Sequence, residues 1–269
     1  MRVLVHLSDL HFGRIAPGIL DPLRETVERQ EPDVIVVSGD LTQRARPWQF
    51  RAARAFLERL PGAKLVVPGN HDVPLYDLYQ RFFRPLSRYR RHFAEAVEPE
   101  YVDDELAVLG VNTARSAVFK GGRINARQIE RVRARLCRLP PRITRIVVTH
   151  HPFDLPEPYA KRQLVGRAAM AMSAFARCGA DLLLAGHLHA SHAGHTAERY
   201  RIPGFAALVV QAGTATSARG RGEANAFNVL RIAPGAITVE RHAWDRNRFS
   251  HMASYEFRRS SEGWRGAAT

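Results

Sequence analysis

The chain has 269 residues, enough for one large domain with a sizeable core or for two small ones, and its 45% hydrophobic content excludes a disordered chain. Lys and Arg number 40 against 26 Asp and Glu, so the net charge is +14; that field attracts phosphates, but the charges are scattered, and a solvated arginine-rich surface explains them as readily. No apolar run approaches the ~20 residues that span a bilayer, the first strand begins too early to leave room for a signal peptide, and Cys137 and Cys178 lie in helix-like patterns. The expectation is therefore no disulfide, no thiolate zinc and a reducing, cytoplasmic setting.

In chain order, Arg2 to Leu7 alternates and reads as a strand, and Pro22 to Gln30 as a helix. Asp33 to Ser38 is a near-continuous apolar run, the pattern of a strand buried on both faces. Pro47 to Leu60 reads as a helix with Pro47 in its first turn, and Lys64 to Val67 as the next strand. Residues 75–98 form an aromatic and arginine-rich helical insertion. Then come a strand at Leu106 to Val111, a helix at Asn125 to Leu139, a strand at Arg145 to Thr149, a proline-rich loop over 153–163, a helix at Arg167 to Cys178 and a strand at Asp181 to Ala185. Strands at Phe205 to Gln211, Ala226 to Ile232 and Ile237 to Trp244 follow without helices and are assigned to a second, more antiparallel sheet. The expected organisation is one domain over 1–260, with 205–244 completing that second sheet and 261–269 as a frayed tail.

Five strand ends carry metal-type side chains: Asp9-Leu-His11, Gly39-Asp40, Gly69-Asn70-His71-Asp72, His150-His151 and Gly186-His187-Leu-His189. Ligands gather at the carboxyl ends of strands in open α/β sheets. If the strands lie side by side, all five ends meet in one cleft. In an extended chain, residues i and i+2 point the same way, which would aim each paired motif at a common point. The glycines before Asp40, Asn70 and His187 permit tight turns and close approach. Each motif alone has an ordinary explanation, such as an Asx turn at Asn70 to Asp72 or a polar turn at His192 and His195. Their joint occurrence does not. Carboxylates, imidazoles and one amide suit Mn, Fe or Zn better than Mg or Ca. With Asp40 bridging, there are ligands for two ions, the usual clamp for displacement at phosphorus.

This ordered set resembles the calcineurin-like metallophosphoesterase superfamily, from the first strand to His189. The resemblance implies a four-layer α-β-β-α sandwich, two mixed β-sheets flanked by helices. It implies one ion (Mn or Fe favoured, Zn or Co also fitting) held by Asp9, His11, Asp40 and His189, and a second held by Asp40, Asn70, His150 and His187. His71 would face the leaving group, with Asp72 orienting its ring. Of the doublet His150-His151 only one side chain is expected to point at the site, and the family pattern selects His150. Within the superfamily, Asp9-Leu-His-Phe-Gly13, Gly39-Asp-Leu-Thr42 and Pro68-Gly-Asn-His-Asp72 look most like the class III cyclic nucleotide phosphodiesterases.

The function expected is hydrolysis of a small phosphodiester, of cyclic nucleotide type, by in-line attack of a hydroxide between the two ions. The alternatives are a nucleotide-sugar or lipid pyrophosphohydrolase and a metal-dependent nuclease. A non-enzymatic scaffold is disfavoured because the whole ligand set stands. Nucleic acid is not the favoured partner, and a homodimer is compatible with the sequence. Arg14, Arg44, Asn112 and Arg115 lie near the motifs and are the candidates for substrate contact, since arginine binds phosphate bidentately.

Overall fold

The computed structural model describes the chain except residues 94–95, 119–120, 156–162, 198, 219–221 and 268–269. Most of the loop expected over 153–163 and part of the 75–98 insertion thus lie outside the described residues. The first half builds β1 (Arg2–Leu7), α1 (Leu20–Glu28), β2 (Val34–Val37), α2 (Pro47–Glu58) and β3 (Ala63–Val66). A 3₁₀ turn at Asn70–Asp72 follows, then two short helices, α3 (Leu78–Phe83) and α4 (Ser87–His92). The second half builds β4 (Glu100–Val102), β5 (Leu106–Gly110), α5 (Ala126–Cys137), β6 (Thr144–Val148), α6 (Ala168–Ala176), β7 (Leu182–Ala185), β8 (His192–His195) and β9 (Leu208–Gln211). Four strands close the chain: β10 (Ala226–Ala233), β11 (Ala236–Asp245), β12 (Arg248–Ser260) and β13 (Gly263–Gly266).

Two sheets result, with orders β13-β12-β11-β10-β1-β2-β3 and β4-β5-β6-β7-β9-β8. Their central strands are apolar on both sides because both faces are covered. In β1 and β2, Leu4, Val34 and Val36 meet Val108, Ile146, Val148 and Leu184 of the other sheet, while Val5, Leu7, Ile35 and Val37 pack outward against α1 and α2. The second sheet turns Leu109, Val147 and Leu183 outward against α5 and α6. Helix, sheet, sheet, helix is the layering implied by the resemblance. Helix α5 begins where Asn125 accepts from Gln128 N (2.9 Å), and α2 begins on Pro47.

Four expectations are corrected. The strands placed together over 205–244 divide: β9 joins the second sheet, while β10 pairs antiparallel with β1 and carries β11 into the first. A period-two apolar run does not say which sheet it completes, and the open side of β1 is what recruits β10. The frayed tail is ordered over β13, where Trp264 is buried and its Nε1 donates to Asp181 (3.0 Å). The long β12 escapes notice because only Phe249 and Phe257 of its 13 residues are buried. His192 and His195 lie in β8, half-buried, rather than in an exposed turn. Finally, Cys137 and Cys178 form a disulfide that joins the end of α5 to the segment after α6. Helical patterning fixes which face a cysteine occupies, not which neighbouring helix end it meets. The argument for a reducing compartment loses its ground with it. No helix among the described residues is long and apolar enough to cross a membrane.

Candidate metal centre

Strands β1, β2 and β3 run parallel, as do β5, β6, β7 and β9, so the loops after β1, β2, β3, β6 and β7 emerge at the carboxyl edges of the two sheets. The loops after β1 and β2 are laced together by Asp9 N to Gly39 O (3.0 Å) and His11 N to Asp40 O (2.9 Å). The loop after β9 ties them from above, Thr214 Oγ1 donating to Asp9 O (2.7 Å) and Thr216 Oγ1 to Leu10 O (2.5 Å).

The paired motifs are not extended. Asp9, His11, Asp40, His187 and His189 all have positive φ, between 49° and 74°. Convergence therefore comes from left-handed loop conformations, not from the i, i+2 alternation of a strand. Such conformations cost about 1 kcal/mol or more apiece and persist only where the surroundings over-determine them. Glycines make the surroundings tight enough. A Cβ on Gly69 would lie 2.1 Å from Asp40 Oδ1, one on Gly39 2.6 Å from His150 Nδ1, and one on Gly186 1.8 Å from Ser8 Oγ.

Seven side chains then meet in two groups about Asp40. In the first, Asp9 Oδ1 lies 3.2 Å from His189 Nε2 and 3.5 Å from His11 Nε2, and the two imidazole nitrogens are 3.4 Å apart. In the second, Asn70 Oδ1 lies 3.1 Å from both His150 Nε2 and His187 Nδ1. Between them, Asp40 turns Oδ2 toward His150 Nε2 (3.4 Å) and His11 Nε2 (3.9 Å), while its Oδ1 accepts from His71 N (2.8 Å). All but Asn70 and His187 are buried.

The donor set calls for cations. Asp9 Oδ1 is buried and, among the described residues, accepts no hydrogen bond of good geometry. His150 donates from Nδ1 to Ser38 O (2.8 Å), which leaves Nε2 facing two oxygens that can only accept. Burial opposes ionisation of Asp9, yet neighbouring His189 and His11 hold its carboxyl well below the usual range. Asp40 likewise stays ionised against burial, chiefly through His150. His150 in turn is pushed up to about 9: burial disfavours its charge, but Asp40 outweighs it. His187, its ring desolvated and next to His150, is pushed down to about 3. Two desolvated carboxylates keep their charge only beside positive charge, and one imidazole supplies it here by taking up a proton. Divalent ions fit the same demand, and the mixed oxygen and nitrogen donors suit a first-row transition metal.

His71 is held in this cluster, 4.9 Å from the His11 ring, centroid to centroid. Its Nδ1 lies 2.9 Å from Gln43 O; a carbonyl only accepts, so Nδ1 carries the proton and Nε2 is free to act. The orienting group is therefore the Gln43 carbonyl, not Asp72. Asp72 does something else. Its carboxylate accepts from Leu41 N (3.1 Å), Thr42 N (2.9 Å), Thr42 Oγ1 (2.9 Å) and Gly69 N (2.9 Å), stapling the loop after β2 to the loop after β3. Burial and the nearby Asp40 push it up to about 6. No side-chain motif could have revealed a backbone carbonyl as the partner of His71.

His150 and His151 both reach the cluster, each with a ring nitrogen near His187. His150 also meets Asp40 and Asn70, whereas His151 Nδ1 lies 2.8 Å from Thr113 Oγ1, with a Cβ-free gap at Gly122 against its ring. Of the substrate candidates, Arg44 is brought to the site's edge: its Nη1 donates to Gln43 O (3.1 Å), the carbonyl that holds His71, and its guanidinium lies over the Tyr76 ring (5.9 Å). Arg14 is exposed beside the first loop. Arg115 and Asn112 are committed to structure. Arg115 donates to Asn112 O (3.0 Å), Ala114 O (2.8 Å) and Gln128 Oε1 (2.6 Å), and Asn112 Oδ1 accepts from Ala114 N (3.0 Å).

Fold and site together define a metal-dependent hydrolase whose candidate ligands sit at the carboxyl ends of two facing sheets. The calcineurin-like phosphoesterase family model matches residues 2–191, β1 to just past His189, and the chain belongs to that family, a metallophosphoesterase acting on phosphoesters. A glycerophosphodiester phosphodiesterase, GpdQ of Enterobacter lignolyticus, is 33% identical over 95 residues, 31% of this chain and 34% of that protein's length. The chain thus matches about a third of the curated relative. Among solved structures, the purple acid phosphatase PPD1 of yellow lupin (Lupinus luteus) aligns over 95% of this chain and 53% of its own, with a TM-score of 0.70 at 12% identity. A dimetal phosphatase from Danio rerio aligns over 93% of this chain and 98% of its own, with a TM-score of 0.67 at 12% identity. At that identity, the likeness carries the fold alone.

Proposed function

We propose that the chain is a dinuclear phosphodiesterase of small phosphodiesters. The observation that carries this reading is the split of the seven donors into two groups with Asp40 between them. Asp9, His11, Asp40 and His189 would hold one ion, and Asp40, Asn70, His150 and His187 the other. When bound, two such ions lower the pKa of a water and neutralise charge gathering on a phosphoryl group.

The remaining chemistry belongs to the chain. Asp40, fixed by His71 N, keeps the two groups at one separation. His71, fixed through Nδ1, presents Nε2 to the leaving oxygen; as the imidazolium it gives the Nε2 proton to that oxygen and keeps the Nδ1 proton on the Gln43 carbonyl. Arg44, anchored on the same carbonyl, waits at the edge for a phosphate oxygen or for the leaving group. Asp72 holds the two loops that make this register hold.

Two substrate classes follow from two observations. The motif spelling favours a cyclic nucleotide, and the 33% identical relative favours a glycerophosphodiester. A panel of 3′,5′- and 2′,3′-cyclic nucleotides, glycerophosphodiesters, nucleotide-sugar pyrophosphates and single-stranded DNA, run with Mn²⁺, separates them from each other and from the nuclease alternative. Bis(p-nitrophenyl) phosphate serves as the generic diester. Protein that binds two ions and cleaves no diester with any of several metals would sink the reading.

A further inference from the structure

Helix α3 is turned inside out. Leu78, Tyr79, Phe82 and Phe83 sit at i, i+1, i+4 and i+5, which at 3.6 residues per turn is one stripe. All four face solvent, at 61, 60, 56 and 75% exposure, and Tyr76 just before them is 76% exposed. Tyr79 and Phe83 lie ring to ring at 5.3 Å in the open. The residue turned inward is an arginine: Arg81 is 2% exposed, donating from Nη1 to Pro74 O (3.0 Å) and from Nη2 to Val118 O (3.2 Å). Hydrogen bonds, not apolar burial, fix this helix, Asp77 Oδ1 also accepting from Gln80 N (3.0 Å) at its start. A contiguous aromatic ridge held in water marks a surface that something covers.

The ridge has a basic flank. Arg84, Arg90 and Arg91 are exposed and pair with no carboxylate among the described residues. Arg84 and Arg91, with Ser87 and His92, line a cavity of about 280 Å³ beside α3, whose third arginine, Arg88, is committed to Asp77 (2.7 Å). Burial and the charges of Arg51, Arg54 and Arg91 hold His92 below its ordinary range, so α2 and α4 supply one positive field. Aromatic rings lodge at the boundary between headgroups and acyl chains, and arginines pair with headgroup phosphates. A second copy docked here two-fold would bring a second basic face against this one, a like-charge contact that opposes association.

We propose that the α3 ridge and its arginine flank dock the protein on an anionic lipid surface, with Tyr79, Phe82 and Phe83 at headgroup depth and Arg84 and Arg91 on headgroup phosphates. The ridge runs back through Tyr76 to Arg44 and the carbonyl that holds His71, so docking turns the mouth of the metal centre toward the surface.

The test is flotation of the full chain with vesicles of phosphatidylglycerol and phosphatidylcholine, against phosphatidylcholine alone. The expected result is binding to the anionic vesicles only, weakened by salt. Arg84→Glu with Arg91→Glu lowers the partition by about fivefold per arginine or more. Phe82→Ser with Phe83→Ser lowers it at least about tenfold. Both pairs keep the wild-type melting temperature and circular dichroism, since the changed side chains face solvent. Absence of binding to anionic vesicles at low salt overturns the proposal, as does binding that neither pair weakens. A wild-type dimer in sedimentation velocity that Phe82→Ser with Phe83→Ser dissolves also overturns it and assigns the ridge to a second copy.

Discussion

The loops of the metal centre and the α3–α4 insertion spend their polar groups in opposite ways. In the loops, backbone and supporting side chains fix one another until Asp9 Oδ1, the Nε2 atoms of His11, His150 and His189, and Asn70 Oδ1 are held facing one another at 3.1 to 3.5 Å, the donor set a cation would take. In the insertion, a buried arginine takes the carbonyls and the apolar surface is left open. The first arrangement is rigid and built for small charged species. The second is built for a broad apolar and anionic surface. Strain tells the same story, since five positive-φ candidate ligands demand a surrounding that cannot relax, whereas α3 keeps ordinary helical backbone.

Substitutions can break that contrast, and they fall in order of effect. Asp40→Ala removes the group shared by both halves, and diester turnover with Mn²⁺ falls on the order of 10³-fold or more, several kcal/mol of lost charge stabilisation. His71→Gln spares both ligand groups and lowers kcat by ~10²–10³-fold, the range for one positioned proton donor, with ion content unchanged. Gly69→Ala replaces no ligand, yet its Cβ would lie 2.1 Å from Asp40 Oδ1, and a displacement of that kind costs roughly 10²-fold. Wild-type turnover in Gly69→Ala would mean the loops are less over-determined than argued. Cys137→Ser lies away from the site in the outer helical layer; it lowers unfolding free energy by about 2–4 kcal/mol in denaturant titration and leaves turnover alone. Phe82→Ser with Phe83→Ser is the smallest, within about 0.5 kcal/mol of wild type, because those rings are already in water.

The fold and the convergence of the candidate side chains were legible because strand ends announce themselves. Apolar runs such as Val34–Val37 stop at a glycine and then a metal-type side chain, and parallel order brings those stops together. What escaped was set by partners without a side-chain signature. The ring of His71 is fixed by a backbone carbonyl, and Asp72, beside it in sequence, bonds backbone N–H groups across the loop. The left-handed conformations of Asp9 and His187 are invisible to any alternation rule. Strand β12 exposes nearly every residue, and the inverted α3 reads in sequence as an ordinary amphipathic helix, because periodicity gives the stripe but not the side it faces.

The most direct measurement of the central claim is metal content by mass spectrometry after reconstitution with Mn²⁺ and removal of free ion. Two ions per chain in the wild type, one in His187→Ala and none retained in Asp40→Ala is the predicted result. A single ion in the wild type, or two still held by Asp40→Ala, would contradict a centre divided by a shared carboxylate.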